Sequence, residues 1–223
     1  MATRRKTPPQ TGSNREAVKK IIARLEKVHP DAKLDLDFTN PLELLIALIL
    51  AAQARDDLVN KVTVELFKTN RSAADYASLP LAKLESQIGK INFYHNKAKS
   101  IHNCCSALVQ RFGGKVPDNL EDLVSLPGVG RKTGNIVLGN AFGRQAIGVD
   151  THVMRLSQRL GFTTKTDPDK VEADLTEIVP EKQRVRFCHL MQYHGRRVCI
   201  AKKPKCPECT VKNLCPFPGK TKA

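Results

Sequence analysis

The chain has 223 residues, 41% of them hydrophobic, enough to bury a core and too apolar for a disordered protein. Its net charge is +15, from 37 Lys and Arg against 22 Asp and Glu, which predicts a polyanionic partner. Trp is absent and aromatic residues are only 5%, so any stacking on nucleobases falls to few side chains.

The charge is uneven: residues 1–20 hold six Lys/Arg and one acid, and residues 196–223 hold eight and one. Residues 1–14 are polar with paired prolines and predict a mobile segment. No apolar run follows the basic start, so a secretory signal is not expected. From Arg15 to Val28, Val18, Ile21, Ile22 and Leu25 recur at helical spacing. Asn40-Pro41 opens the next helix, predicted to run to about Ala54. The apolar run Leu44–Ala52 within it is nine residues, too short to span a bilayer, and reads as a buried helix. Helical patterns follow over residues 58–67, 72–78, 81–88, 94–112 and 120–125, joined by short links carrying Pro, Gly or Asn. No period-2 strand and no internal repeat is evident, so the fold class is all-α.

The stretch Leu126-Pro-Gly-Val-Gly-Arg-Lys-Thr-Gly134 puts a glycine-rich turn between two helices, the second predicted to reach about Phe142. Gly128 and Gly130 are expected to allow positive φ and to leave backbone N–H groups uncovered. With the N-terminus of the following helix, those groups form an anion site that suits a DNA phosphate without sequence preference. A dinucleotide-binding loop fits poorly, because Gly134 comes one position late and no buried strand precedes the turn. An ordinary αα-hairpin is the plain alternative. Lys132 lies in the first turn of the second helix beside Arg131; the dipole disfavours a cation there, which favours the uncharged, nucleophilic amine. Asp150 precedes Thr151-His-Val and a helical run, the position of an N-cap.

Seven cysteines make an odd count with no disulfide framework, which predicts a reducing compartment. Cys104, Cys105 and Cys188 read as small buried hydrophobes. Cys199, Cys206, Cys209 and Cys215 are spaced C-x6-C-x2-C-x5-C among three prolines, a loop too small to order itself by apolar burial. Four soft ligands narrow its metal to zinc or an iron–sulfur cluster, and spacing alone leaves both open.

LPGVGRKTGN, then VDTHVMRL, then the four-cysteine loop, with LIALILAAQARDDLVNK upstream, resemble the helix–hairpin–helix DNA glycosylases of the endonuclease III type over about residues 15–217. The resemblance implies two helical domains, residues 34–145 with the hairpin and residues 1–33 plus 146–223 with a 4Fe–4S cluster on the four cysteines. DNA would lie in the cleft between them. It implies that Lys132 attacks C1′ of a damaged nucleotide, that Asp150 is the catalytic carboxylate, and that β-elimination then nicks the strand. Adenine-removing relatives lack a lysine at this hairpin position, so Lys132 favours a combined glycosylase and AP lyase acting on oxidised pyrimidines. A DNA-binding module without activity is the alternative from another class.

Because a base must leave the stack before its sugar is attacked, the resemblance also assigns residues to the duplex. Gln53 is a gap-filling residue, and Phe93, in Asn92-Phe-Tyr94, is a wedge where the best-known relatives carry leucine. His152 faces the same gap. Gly128, Gly130 and Arg131 meet phosphate at the hairpin, and Lys202, Lys203 and Lys205 meet it from the cysteine loop. Pocket selectivity would turn on Phe93 with Ala51 and Arg55, which depart from the common family wording. The expected partner is duplex DNA with damaged bases or abasic sites, engaged by a monomer in the cytoplasm of a bacterium or archaeon, with no membrane.

Overall fold

The computed structural model describes residues 11–222. The mobile tail expected over residues 1–14 lies outside the described residues up to position 10; from Thr11 the chain is helical. Among the described residues there are eleven α-helices, three short 3-10 turns and no strand. No described helix is long and apolar enough to cross a membrane.

The chain forms two compact units. One is Leu34–Arg144; the other joins the residues up to Lys33 to those from Gln145 onward.

The Leu34–Arg144 unit holds α2 (Pro41–Ala51), α3 (Asp56–Thr69), α4 (Ala73–Ser78), α5 (Leu81–Ile88), α6 (Tyr94–Phe112), α7 (Leu120–Val124) and α8 (Arg131–Ala141). Asn40 caps α2 by accepting the Glu43 N–H at 3.0 Å, with Pro41 in the first turn, as Asn-Pro predicts. Leu44, Leu45, Ile46, Ala47, Ile49 and Leu50 are buried, so α2 is apolar around most of its girth and sits centrally, against α3, α6 and α8. Ser72 and Asp75 form a reciprocal capping box on α4. Hydrogen bonds from the Ser72 and Arg71 backbone hold the Asp75 carboxyl below the usual carboxylate range. The long α6 packs on α4 and α5 and ends at Gly113, which takes the left-handed conformation at φ 58°.

The other unit packs α1 (Thr11–Val28), α9 (Thr151–Arg159), α10 (Pro168–Ile178) and α11 (Arg184–Arg197) around one core. Val18, Ile21, Ile22 and Leu25 supply the face of α1, as their spacing predicts. They meet Val153 and Leu156, Val171 and Leu175, and Phe187, Leu190 and Met191. Val211, from the cysteine loop, joins this core. α1 starts four residues earlier than its apolar period signals, because periodicity marks the buried face and not a solvated first turn.

Two further differences matter for function. α2 ends at Ala51, three residues short of the expected Ala54, because Gln53 turns left-handed at φ 55°. Gly130 has φ −90° and does not use positive φ; only Gly128, at 79°, does so in the hairpin. Cys104, Cys105 and Cys188 are buried as expected, and burial pushes the thiols of Cys104 and Cys188 up to about 12.

Candidate active site and thiolate loop

α7, residues 125–130 and α8 form the hairpin. Buried Leu126 and Val129 anchor the turn. The Val129 N–H donates to the Leu126 carbonyl at 3.1 Å, which folds the exposed Gly128 outward between them. A Cβ on Gly128 would stand 3.0 Å from Ser100 Cβ of α6, and φ is already positive, so the position is closed to a side chain twice over. Gly130 is the N-cap of α8 and provides no side-chain cap, while a Cβ there would meet nothing within 4 Å. The space above the first-turn N–H groups is therefore open, and an anion can approach there. Arg131 and Lys132 are the first two residues of α8, and both are exposed.

Gln53 and Phe93 are the only non-glycine residues with positive φ among the described residues, at 55° and 60°. Each such backbone costs about 1–2 kcal/mol. Gln53 is exposed, and Phe93 is 62% exposed, so core packing does not explain either conformation. Both line one recess of about 370 Å³, with Ile49, Lys97, Gly128 and Thr133 among its other walls. Thus the resemblance's gap-filling residue, its wedge and the hairpin glycine share one concavity. Lys97, absent from the sequence reading, is buried at 6% exposure and donates from Nζ to the Leu50 carbonyl at 2.8 Å.

Asp150 caps α9: its Oδ1 accepts the Val153 N–H at 2.7 Å, so the carboxylate is held in one direction. His152 is the second residue of the same helix and is partly buried. Its Nδ1 is 3.1 Å from the Arg155 guanidinium, which also donates to the carbonyls of Gly195 and Cys199. A Cβ on Gly195 would come within 2.7 Å of His152 Nδ1. The His152 ring is thus tied into the packing of α9 on α11.

Cys199, Cys206, Cys209 and Cys215 line one pocket, with apolar walls that include Leu156, Leu160 and Val211. None is in a disulfide. Lys205 N–H donates to the Val198 carbonyl at 2.9 Å and closes the first loop, leaving Lys202, Lys203 and Lys205 exposed on it. Arg159, which the sequence reading missed, organises this loop. Its guanidinium lies 4.7 Å from the Phe217 ring centroid and donates to Cys199 Sγ at 3.2 Å and to the carbonyls of Ile200 and Ala201 at 2.9 and 2.7 Å. His194 Nε2 is 3.4 Å from Cys209 Sγ, and its Nδ1 is 3.1 Å from His29 Nε2. Burial, then His29, pushes His194 down to about 4, so the ring is neutral and can offer an N–H to the sulfur. Burial raises the thiols of Cys209 and Cys215. The only sequence signal for Arg159 or His194 was their place on helices flanking the loop; spacing could not say which side chains turn toward sulfur.

Residues 46–181 match the model of the HhH-GPD superfamily of base excision DNA repair proteins. The chain is 45% identical to an endonuclease III of Synechocystis over 92% of its length and 94% of that protein. It belongs to the endonuclease III family. The Escherichia coli endonuclease III is 39% identical over 90% of this chain and 95% of its own. Among solved structures, a trapped covalent intermediate of endonuclease III with DNA superimposes with a TM-score of 0.86 at 43% identity, covering 91% of this chain and 95% of that one. A thermostable thymine-DNA glycosylase shares the fold, with a TM-score of 0.82 at 23% identity.

Proposed function

We propose that this endonuclease III family member removes oxidised pyrimidines from duplex DNA and then cleaves the strand at the resulting abasic site, with Lys132 as nucleophile and Asp150 as the catalytic carboxylate. The observation that carries this reading is Lys132 itself, an exposed lysine in the first turn of the hairpin's second helix. A glycosylase that releases bases with water alone has no use for an amine there.

The chemistry follows from the residue types. Lys132 Nζ attacks C1′ of an extruded nucleotide, the C1′–N bond breaks, and the base departs with a proton. Asp150, held by the Val153 N–H, stabilises positive charge developing at C1′ and takes up the proton released by the amine. The amine, now bonded to C1′, forms an iminium as the sugar ring opens. Loss of a C2′ proton then breaks the C3′–O bond, and water releases the enzyme from the remaining aldehyde. Gly128, Gly130 and Arg131 bind backbone phosphate at the hairpin, and Lys202, Lys203 and Lys205 do so from the cysteine loop. Gln53 and Phe93 enter the duplex as the base leaves it. His152 supports the same opening from the start of α9. The work is cytoplasmic, where chromosomal DNA lies in a bacterium or archaeon.

The residues of the thiolate pocket suit a 4Fe–4S cluster on Cys199, Cys206, Cys209 and Cys215. All four cysteines line one cavity, and four soft thiolates are the donor set of such a cluster. A cluster spreads its thiolates over four irons, and the Arg159 and His194 donors offset thiolate charge. Bound there, it would supply structural cross-linking of the loop. Purified protein should be brown with about four irons per chain; colourless protein with one zinc would refute this assignment and leave the lysine chemistry intact.

The enzymatic reading is tested by borohydride reduction of the protein on a lesion-bearing duplex, comparing wild type with Lys132→Ala. A pure DNA-binding module would give no adduct in either.

A further inference from the structure

The two strained residues read above as entering the duplex, Gln53 and Phe93, are forty positions apart and belong to different helix ends. Lys97 touches the backbone at both. Where α2 stops, the Ala54 N–H turns back to the Ala51 carbonyl at 3.1 Å, so the Leu50 carbonyl loses the partner that a continuing helix would give it. Lys97 Nζ takes that carbonyl at 2.8 Å. Phe93 precedes the first turn of α6, which the Lys97 N–H closes on the Phe93 carbonyl at 3.1 Å, as a main-chain bond independent of the side chain.

Lys97 is also the only buried lysine among the described residues. Burial alone holds its ammonium below the usual lysine range. A buried ammonium satisfied by a neutral carbonyl is a poor choice for stability, since an apolar side chain of similar volume would pack without desolvating a charge. A requirement for geometry accounts for it better. The recess that Lys97 lines contains Gln53, Phe93 and Gly128 together.

We propose that Lys97 is the positioning residue for the DNA-entering Gln53: its ammonium ends α2 so that Gln53 is held left-handed at the recess that Phe93 also lines. It touches neither substrate nor the reacting atoms. The proposal rests on the reading of Gln53 and Phe93 as residues that enter the duplex.

The test uses the full-length protein, a duplex with one oxidised pyrimidine beside 2-aminopurine, and the variants Lys97→Met, Lys97→Arg and Gln53→Ala/Phe93→Ala. Fluorescence reports opening of the stack, and affinity for undamaged duplex and its salt dependence report phosphate binding. Lys97→Met should slow stack opening and excision together by roughly ten- to a hundredfold, with salt dependence unchanged. It should add nothing when introduced into Gln53→Ala/Phe93→Ala, because the Gln53 side chain it positions against Phe93 is gone. If the loss recurs in full in that background, Lys97 only supports the fold and the proposal fails. Wild-type stack opening in Lys97→Met overturns it equally. If Gln53→Ala/Phe93→Ala itself opens the stack at the wild-type rate, the reading of those two residues falls, and the role of Lys97 with it. Should Lys97→Met not fold, Lys97→Arg, which keeps a charged donor but not its reach, carries the same comparison.

Discussion

At the scale of single residues, the hairpin glycines do different jobs that their shared motif conceals. Gly128 needs both its positive φ of 79° and its missing Cβ, since Ser100 stands 3.0 Å from where that atom would be. Gly130 needs neither for the fold, because its φ is −90° and the space above it is empty. Gly128→Ala should therefore lose about 1–2 kcal/mol from backbone strain alone, seen as a fall of several degrees in Tm. Gly130→Ala should fall less. Equal melting temperatures for the two variants would contradict this division. The sequence motif announced an anion site but could not distinguish which glycine bends the chain and which merely leaves it bare.

At the scale of elements, the helices were largely legible and their ends less so. α5 and α6 fall where the pattern predicts, because apolar spacing and the flanking Pro80 and Gly113 agree. The end of α2 was not legible: Ala-Ala-Gln-Ala contains no breaker, and the residue that takes the freed carbonyl, Lys97, is 47 positions away. The thiolate pocket was legible in its four cysteines but not in Arg159 and His194, whose contacts depend on how α9 and α11 pack. Packing within the hairpin supplies a second test. A Cβ on Gly134 would meet Leu120 Cδ1 at 2.8 Å, with Leu123 and Val124 at ordinary contact. The close atom is the tip of a half-buried, flexible side chain that can turn aside. Removing a mid-helix glycine is worth about 0.5–1 kcal/mol, so Gly134→Ala should hold or slightly raise Tm. A loss of more than about 1 kcal/mol would mean that Leu120 cannot yield and that α7 and α8 are packed more rigidly than this.

At the scale of the whole molecule, the proposed chemistry draws on residues of both units. Leu34–Arg144 carries the hairpin, Lys132 and the recess with Gln53 and Phe93. The unit that includes Gln145 onward carries Asp150, the thiolate pocket and the exposed lysines of its loop. The net charge of +15 suits a polyanion but selects no reaction; the proposed reaction depends on one amine. Its most direct measurement is the covalent complex itself: borohydride reduction on a lesion duplex, followed by peptide mapping of the cross-link. Wild type should give an adduct attached at Lys132, and Lys132→Ala, still folded and still bound to DNA, should give none. An undiminished adduct in Lys132→Ala, or a cross-link mapped to another residue, would contradict it.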